Sequence, residues 1–216
     1  MTEQNSKTPY RQQLHERIVE TAMRAFAAQG IRAVKMDDIA QQLSISKRTM
    51  YELYENKEEL LYEGIRKYRE RQRADVQSFM EKKPNVIEVI VHEYKKKVRE
   101  LKDTVPQFYD DLEKYPRVMA LLEKDREENR DRLRAFMNRG VDEGYFRKDI
   151  DYDMVLLLLD TIGYHIMSQR LYAKYSIEQI FHQVVSVYIR GLCTQLGVVL
   201  LDNLMASEKQ PAANQP

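Results

Sequence analysis

The residues best suited to chemistry lie in the run from Asp37 to Leu61, DDIAQQLSISKRTMYELYENKEELL. The guanidinium of Arg48 and the ammonium of Lys47 can donate to guanine O6 and N7 or to phosphate. Thr49 can meet a base edge or a thymine methyl, and Glu52 can accept from cytosine N4. Tyr51 and Lys57 suit phosphate oxygens, Lys57 at the amino end of a helix whose dipole also favours anions. Ser46 stands where it can cap the helix that carries them. This is the chemistry of base and backbone contact on duplex DNA. Catalytic constellations are not found: no nucleophile beside a base, no His-Glu-x-x-His and no glycine-rich phosphate loop. His15, His92, His165 and His182 are scattered, and Glu88/His92 and Glu178/His182 are spaced i, i+4 rather than the i, i+3 of a helical di-iron site. Neither a metal nor another cofactor is expected, and the chain does not read as an enzyme.

The elements that must hold these residues are helical. Seven glycines and six prolines in 216 residues fall at breaks between runs of 3.6-residue period, and no stretch alternates like a strand. The expected fold is all-α, with about nine helices. A first helix spans about Pro9 to Gln29, closed by Gly30. Short helices over about 36–43 and 46–54 follow, and Ile39, Leu43, Ile45, Met50 and Leu53 have the spacing to pin them together as a helix-turn-helix. Capping boxes are expected at Asn56–Glu59, Asn85–Glu88, Thr104–Gln107 and Ser176–Gln179. Pro116 suits the start of a helix to Gly140. A turn-rich break runs to Asp151, which can cap a helix ending near Tyr175. The last helix is expected over 176–205. The polar, proline-containing tail 207–216 reads as disordered.

The spaced positions Ile39-Ala40, Ile45-Ser46-Lys47, Thr49-Met50-Tyr51, Tyr54 and Asn56-Lys57-Glu58-Glu59-Leu60-Leu61 make the chain resemble the TetR (tetracycline-repressor-like) family. The run Gly140 to Asp151 resembles the family's break before its last two helices. Four positions depart from the pattern: Arg48 replaces a small residue, Leu53 a His or Tyr, Lys35 a Ser/Thr cap before the second helix, and Glu52 adds a negative charge to the reading face. Asp37 and Asp38 can take over the capping role of the missing Ser/Thr.

The resemblance implies a helix-turn-helix DNA-binding domain over 1–56 and a helical effector-binding and dimerisation domain over 57–206. It implies a homodimer on double-stranded operator DNA, a repressor more often than an activator, released by a small molecule. The last two helices would form a four-helix bundle with their copies, with Ile177, Phe181, Val184 and Tyr188 on the apolar stripe and Gly191 allowing close approach. Tyr94, Phe108, Tyr109, Phe136, Tyr164 and Met167 are candidate walls of an internal cavity among helices 4 to 8. Asp160 interrupts LLLLDTIGYHIM and faces either that cavity or the partner subunit. The alternative is an all-α interaction protein whose helix-turn-helix does not bind DNA; Glu52 and Leu53 are the residues that favour it.

Composition agrees with an ordinary globular chain. Hydrophobic residues make up 43%, enough for a core, and the net charge is +1. The first fifty residues carry an excess of three positive charges, so the remainder is slightly acidic. Cys193 is the single cysteine, which excludes an internal disulfide and fits a reducing cytoplasm. The amino terminus lacks the apolar core of a signal peptide, and no apolar run is long enough to span a bilayer. A cytoplasmic protein with no membrane partner is expected.

Overall fold

The computed structural model describes residues 4–102 and 104–206, side chains excepted at 4–9, 101 and 177. In chain order the helices are α1 (Gln4–Gln29), α2 (Met36–Gln42), α3 (Lys47–Leu53), α4 (Lys57–Met80), α5 (Val86–Lys102), α6 (Pro106–Leu112), α7 (Pro116–Asp142), α8 (Tyr152–Ser168), α9 (Leu171–Lys174), α10 (Ile177–Val184), α11 (Arg190–Leu192) and α12 (Gln195–Ala206). A π-helical segment, Val185–Ile189, joins α10 to α11. Among the described residues the fold is all-α, with one isolated antiparallel bridge between Phe146 and Cys193.

The described residues fall into two compact units, those of Met1–Arg73 with Asp103–Asp125 and those of Ala74–Lys102 with Arg126–Pro216. The first is built on Ile18, Ala22 and Phe26 of α1, whose spacing of three and four makes one buried stripe. Ile39 of α2, Met50 of α3 and Leu60 and Leu61 of α4 close on it, joined by Phe108 and Val118. Gly30 ends α1 with φ +87, and its N–H reaches the Phe26 carbonyl at 2.9 Å. A Cβ there would come within 2.7 Å of Gln107 Cγ, so glycine is required by conformation and by space.

The second unit gathers Val86, Ile87, Val91, Met137, Phe146, Leu156, Val185 and Leu201. Its helices begin on side-chain caps. Asn85 and Glu88 satisfy each other's backbone N–H at 3.0 and 2.8 Å. Ser176 and Gln179 do the same at 3.1 and 2.9 Å, and Asp151 accepts from the N–H groups of Asp153 and Met154. The expected box at Thr104 does not form. Val105 is the N-cap of α6 without a side-chain bond, because Pro106 takes the first helical position.

Two expected helices are shorter than their apolar pattern. The run to Tyr175 breaks after Ser168, where Arg170 takes φ +50. The run 176–205 is cut at Cys193. There Arg147 N–H donates to the Leu192 carbonyl at 2.9 Å and Thr194 N–H to the Tyr145 carbonyl at 2.8 Å, so the 145–147 turn competes for backbone groups a continuous helix would use. The π segment adds to this. Its wider turn shifts the following side chains around the axis, and Leu192 is buried within the chain. The expected tail 207–216 lies outside the described residues.

Phe146 is 1% exposed, and its ring lies directly where a Cβ at Gly140 would project. Gly140→Ala is therefore expected to lower stability by about 1–3 kcal/mol through overpacking, read as a drop in thermal midpoint.

Candidate functional site

α2 and α3 pack through Ile39 and Met50, both essentially inaccessible, with Leu43, Ile45 and Leu53 half-buried around them. This is the pinning expected from their spacing. The turn between them is tight: Ser44 adopts φ +54, its N–H meets the Gln41 carbonyl at 3.0 Å, and Ile45 N–H meets the Ala40 carbonyl at 3.0 Å. Ser46 caps α3, its Oγ accepting from Thr49 N–H at 3.0 Å and lying 2.8 Å from Thr49 Oγ1. Asp38 Oδ2 accepts from Lys35 N–H at 3.0 Å, so an acidic residue supplies half of the capping arrangement that Lys35 cannot.

Burial of Met50 and Tyr54 leaves Lys47, Arg48, Tyr51 and Glu52 pointing to solvent. Both cations are already paired. Lys47 Nζ lies 2.5 Å from Asp37 Oδ2 and Arg48 Nε 2.8 Å from Glu52 Oε1. Each partner carboxylate, by hydrogen bond first and by charge second, raises its cation's pKa. Glu52 thus serves the arginine within its own helix. Tyr51 is 50% exposed, and its ring extends the same face. Such a face can donate to phosphate and base edges while Thr49 stays partly tied to its cap.

Lys57 is placed differently from the solvent-facing residues. Its Nζ donates to the Ile31 carbonyl at 2.9 Å and to the Arg32 carbonyl at 3.3 Å. Burial lowers its pKa, partly offset by the charge of Asp111. The Arg32 N–H in turn donates to Asp111 Oδ2 at 2.8 Å. Asp111 is wholly inaccessible and also accepts from Gln107 Nε2 at 3.0 Å and Lys114 Nζ at 3.2 Å. Burial opposes its ionisation, but these donors prevail and hold the carboxyl below the usual range. The polar side chains that fix the loop after α1, and with it the entry to α2, are therefore Lys57 and Asp111. No local spacing marks Asp111: it lies far along the chain from Arg32.

The candidate effector residues are divided between the two units. Phe108 and Tyr109 belong to the core of the first unit, ring centroids 5.5 Å apart. Tyr94 and Phe136 pack on the core of the second. Tyr164 is 71% exposed, Met167 is half-buried, and Asp160 is exposed with Arg126 Nε at 3.8 Å. Of the candidate dimer residues, Phe181, Val184 and Tyr188 are half-buried and Gly191 is exposed; the side chain of Ile177 lies outside the described residues. Asp75, His92 and Glu93 bring ligand-type atoms within 4.8 Å of one another, but Lys96 is already ion-paired to Asp75. No helix among the described residues is long and apolar enough to cross a membrane.

Residues 18–63 match the family of bacterial regulatory proteins described as the tetR family. The chain is similar to the HTH-type transcriptional repressor KstR2 of Mycobacterium tuberculosis, 26% identical over 188 residues that cover 84% of this chain and 93% of that protein. The solved structure of that ketosteroid transcriptional regulator superposes with a TM-score of 0.56, covering 84% of this chain and 95% of that one at 23% identity. A transcriptional regulator from Saccharomonospora viridis in complex with choline superposes with a TM-score of 0.67, covering 85% of this chain and all of that one at 19% identity.

The Asp111 carboxylate is expected to stabilise the first unit in a pH-dependent way. Asp111→Asn should cost about 1–3 kcal/mol near neutrality. The folded carboxyl ionises below its ordinary value, so its contribution is full above the unfolded value near pH ~4 and is lost as pH falls through the folded one. Wild-type and variant melting curves should therefore converge in acid; a gap that stays constant down to the acid transition contradicts the assignment.

Proposed function

We propose that this chain, whose residues 18–63 match the tetR family of bacterial regulatory proteins, acts as a homodimeric, cytoplasmic repressor whose α3 enters the major groove of operator DNA and whose body responds to a small molecule. It is a DNA-binding transcriptional regulator rather than an enzyme. The observation that carries the proposed contacts is the outward row of Lys47, Arg48 and Tyr51 on a helix seated by the fully buried Met50. A recognition helix must be anchored on one side and donor-rich on the other. Lys47 and Arg48 would exchange Asp37 and Glu52 for phosphate or guanine. The division at residue 56 separates this reading head from the regulatory remainder.

Dimerisation is supported by α8. Met154, Leu157, Leu158 and Tyr164 are largely exposed at spacings of three, four and six to seven, which place them on one side of the helix. Val187, Leu196 and Val199 are exposed further along. An apolar face of this kind on a water-exposed helix calls for a partner, and a second copy supplies a self-complementary one. Two copies present two recognition helices, and both dock only if spaced roughly 34–36 Å apart or a multiple of it. A ligand then acts through its different affinity for the docked and undocked spacings. KstR2 is a ketosteroid transcriptional regulator and the S. viridis protein holds choline; for this chain we infer a mostly apolar organic effector.

The reading is tested by selecting bound sequences from random duplex DNA and measuring the winner by gel shift at several salt concentrations. Arg48→Ala and Lys47→Ala should weaken binding; a base-reading residue relaxes specificity at one position, and a phosphate-binding one lowers the salt slope by about one unit. A double variant that binds like wild type refutes the assigned face. Leu158→Glu, which sets like charges near a twofold axis, should convert dimer to monomer in sedimentation and reduce operator affinity with it.

A further inference from the structure

The second unit contains an open cleft of about 530 Å³ between the end of α4, the start of α5 and the end of α12. That volume lies in the range of small-molecule sites. None of the residues expected from the sequence to hold an effector lines it. Its apolar wall is Phe79, Val91 and Leu204, and Lys82, Lys83 and Lys95 stand around it. Glu88 is the carboxylate among the lining residues, and its Oε2 is engaged by Asn85 N–H at the start of α5. The cleft therefore combines an apolar wall with an excess of ammonium groups.

The cleft is built rather than a chance gap between helix ends. The ring of His92 stacks on Phe79 with centroids 4.0 Å apart and planes within 5°, which fixes the aromatic wall. Lys82 Nζ lies 5.9 Å from the centre of the Phe79 ring, close enough to hold a cation over the aromatic face. Lys83 adopts φ +54, a left-handed conformation that a side-chain-bearing residue rarely takes. The turn that carries both lysines is clamped from below. Arg139 donates to the Pro84 carbonyl and to Glu143 Oε1, and Glu143 Oε2 accepts from Val86 N–H at 2.9 Å. A rim held in this way loses little freedom when a ligand arrives.

We propose that this cleft binds an amphipathic organic anion, a carboxylate or phosphate on an apolar body, with the headgroup at Lys82 and Lys83 and the body against Phe79, Val91 and Leu204. A free small molecule is favoured over a larger partner because the cleft is concave and of single-ligand size. As an effector site the cleft rests on the ligand-responsive reading above; as a binding site it does not. It also narrows the mostly apolar organic effector of that reading to an anionic class.

Calorimetric titration of the full chain tests this with decanoate, decyl phosphate and decyltrimethylammonium. One or both anions should bind once per chain and the cation should not; which anion binds more tightly identifies the headgroup. Lys82→Glu with Lys83→Glu, at exposed positions that leave the fold intact, should weaken the anion about tenfold or more, equivalent to a loss of ~1.4 kcal/mol. Phe79→Leu should weaken it without restoring the cation. Equal binding of the cation, or undiminished decanoate binding by the double variant, overturns the site. Fluorescence anisotropy on a selected operator separates the two readings: operator binding without anion binding leaves the regulator and removes the cleft. Anion binding that leaves operator affinity unchanged keeps the cleft and removes its effector role.

Discussion

The backbone of the loop between α1 and α2 cannot satisfy itself, and two side chains of opposite charge do so in its place. Asp111 accepts the Arg32 N–H, and Lys57 donates to the carbonyls of Ile31 and Arg32. An unmade bond at a buried backbone group is expensive, while a made one to a charged partner is stronger than average. The loop therefore has one arrangement. Because α2 leaves that loop and α3 packs on α2, the direction of the donor-rich face is set by Asp111 and Lys57, neither of which lies on it. A further bond, from Val105 N–H to the Ala27 carbonyl at 2.8 Å, fixes the start of α6 against the end of α1, so that Asp111 is presented at the right height.

The helix-turn-helix was legible because its signals are local. The Ser46 cap, the reciprocal Asn85–Glu88 and Ser176–Gln179 bonds, Gly30 at the end of α1 and the apolar spacing of Ile39, Leu43, Ile45 and Met50 each involve neighbours within a few residues. Local chemistry of that kind is written directly in residue order. The role of Lys57 was not legible. A lysine at the amino end of a helix suits a phosphate, and only the fold brings the carbonyls of residues 31 and 32 within its reach. Asp111 carries still less signal, since an aspartate in a short helix ordinarily faces water.

The body shows the same division for a different reason. Its apolar residues recur at helical spacing whether they face a core, a partner or a ligand, so periodicity alone cannot sort Phe108 from Phe136 or Leu192 from Leu196. The pairing of Phe146 with Cys193 depends on a turn that arrives from elsewhere in the chain, and it ends a helix whose own sequence gives no stop signal. The basic cleft was not legible because two of its lysines lie in the turn after one helix and the third in the middle of the next.

The π-helical stretch from Val185 to Ile189 has an evolutionary reading. A π turn holds one residue more than an α turn needs, which is what a single-codon insertion into an ordinary helix leaves behind. Each residue advances a helix by about 100°, so the insertion swings everything after it to a new azimuth. Here the downstream part includes Leu192 and Cys193 in the core and the bridge to Phe146. Losing one residue from this stretch would restore a regular helix and carry Leu192 off the core. Losing one residue from a surface loop would merely shorten it. The chain can vary in length at many places, but at this one its reading frame of side chains is locked to the count.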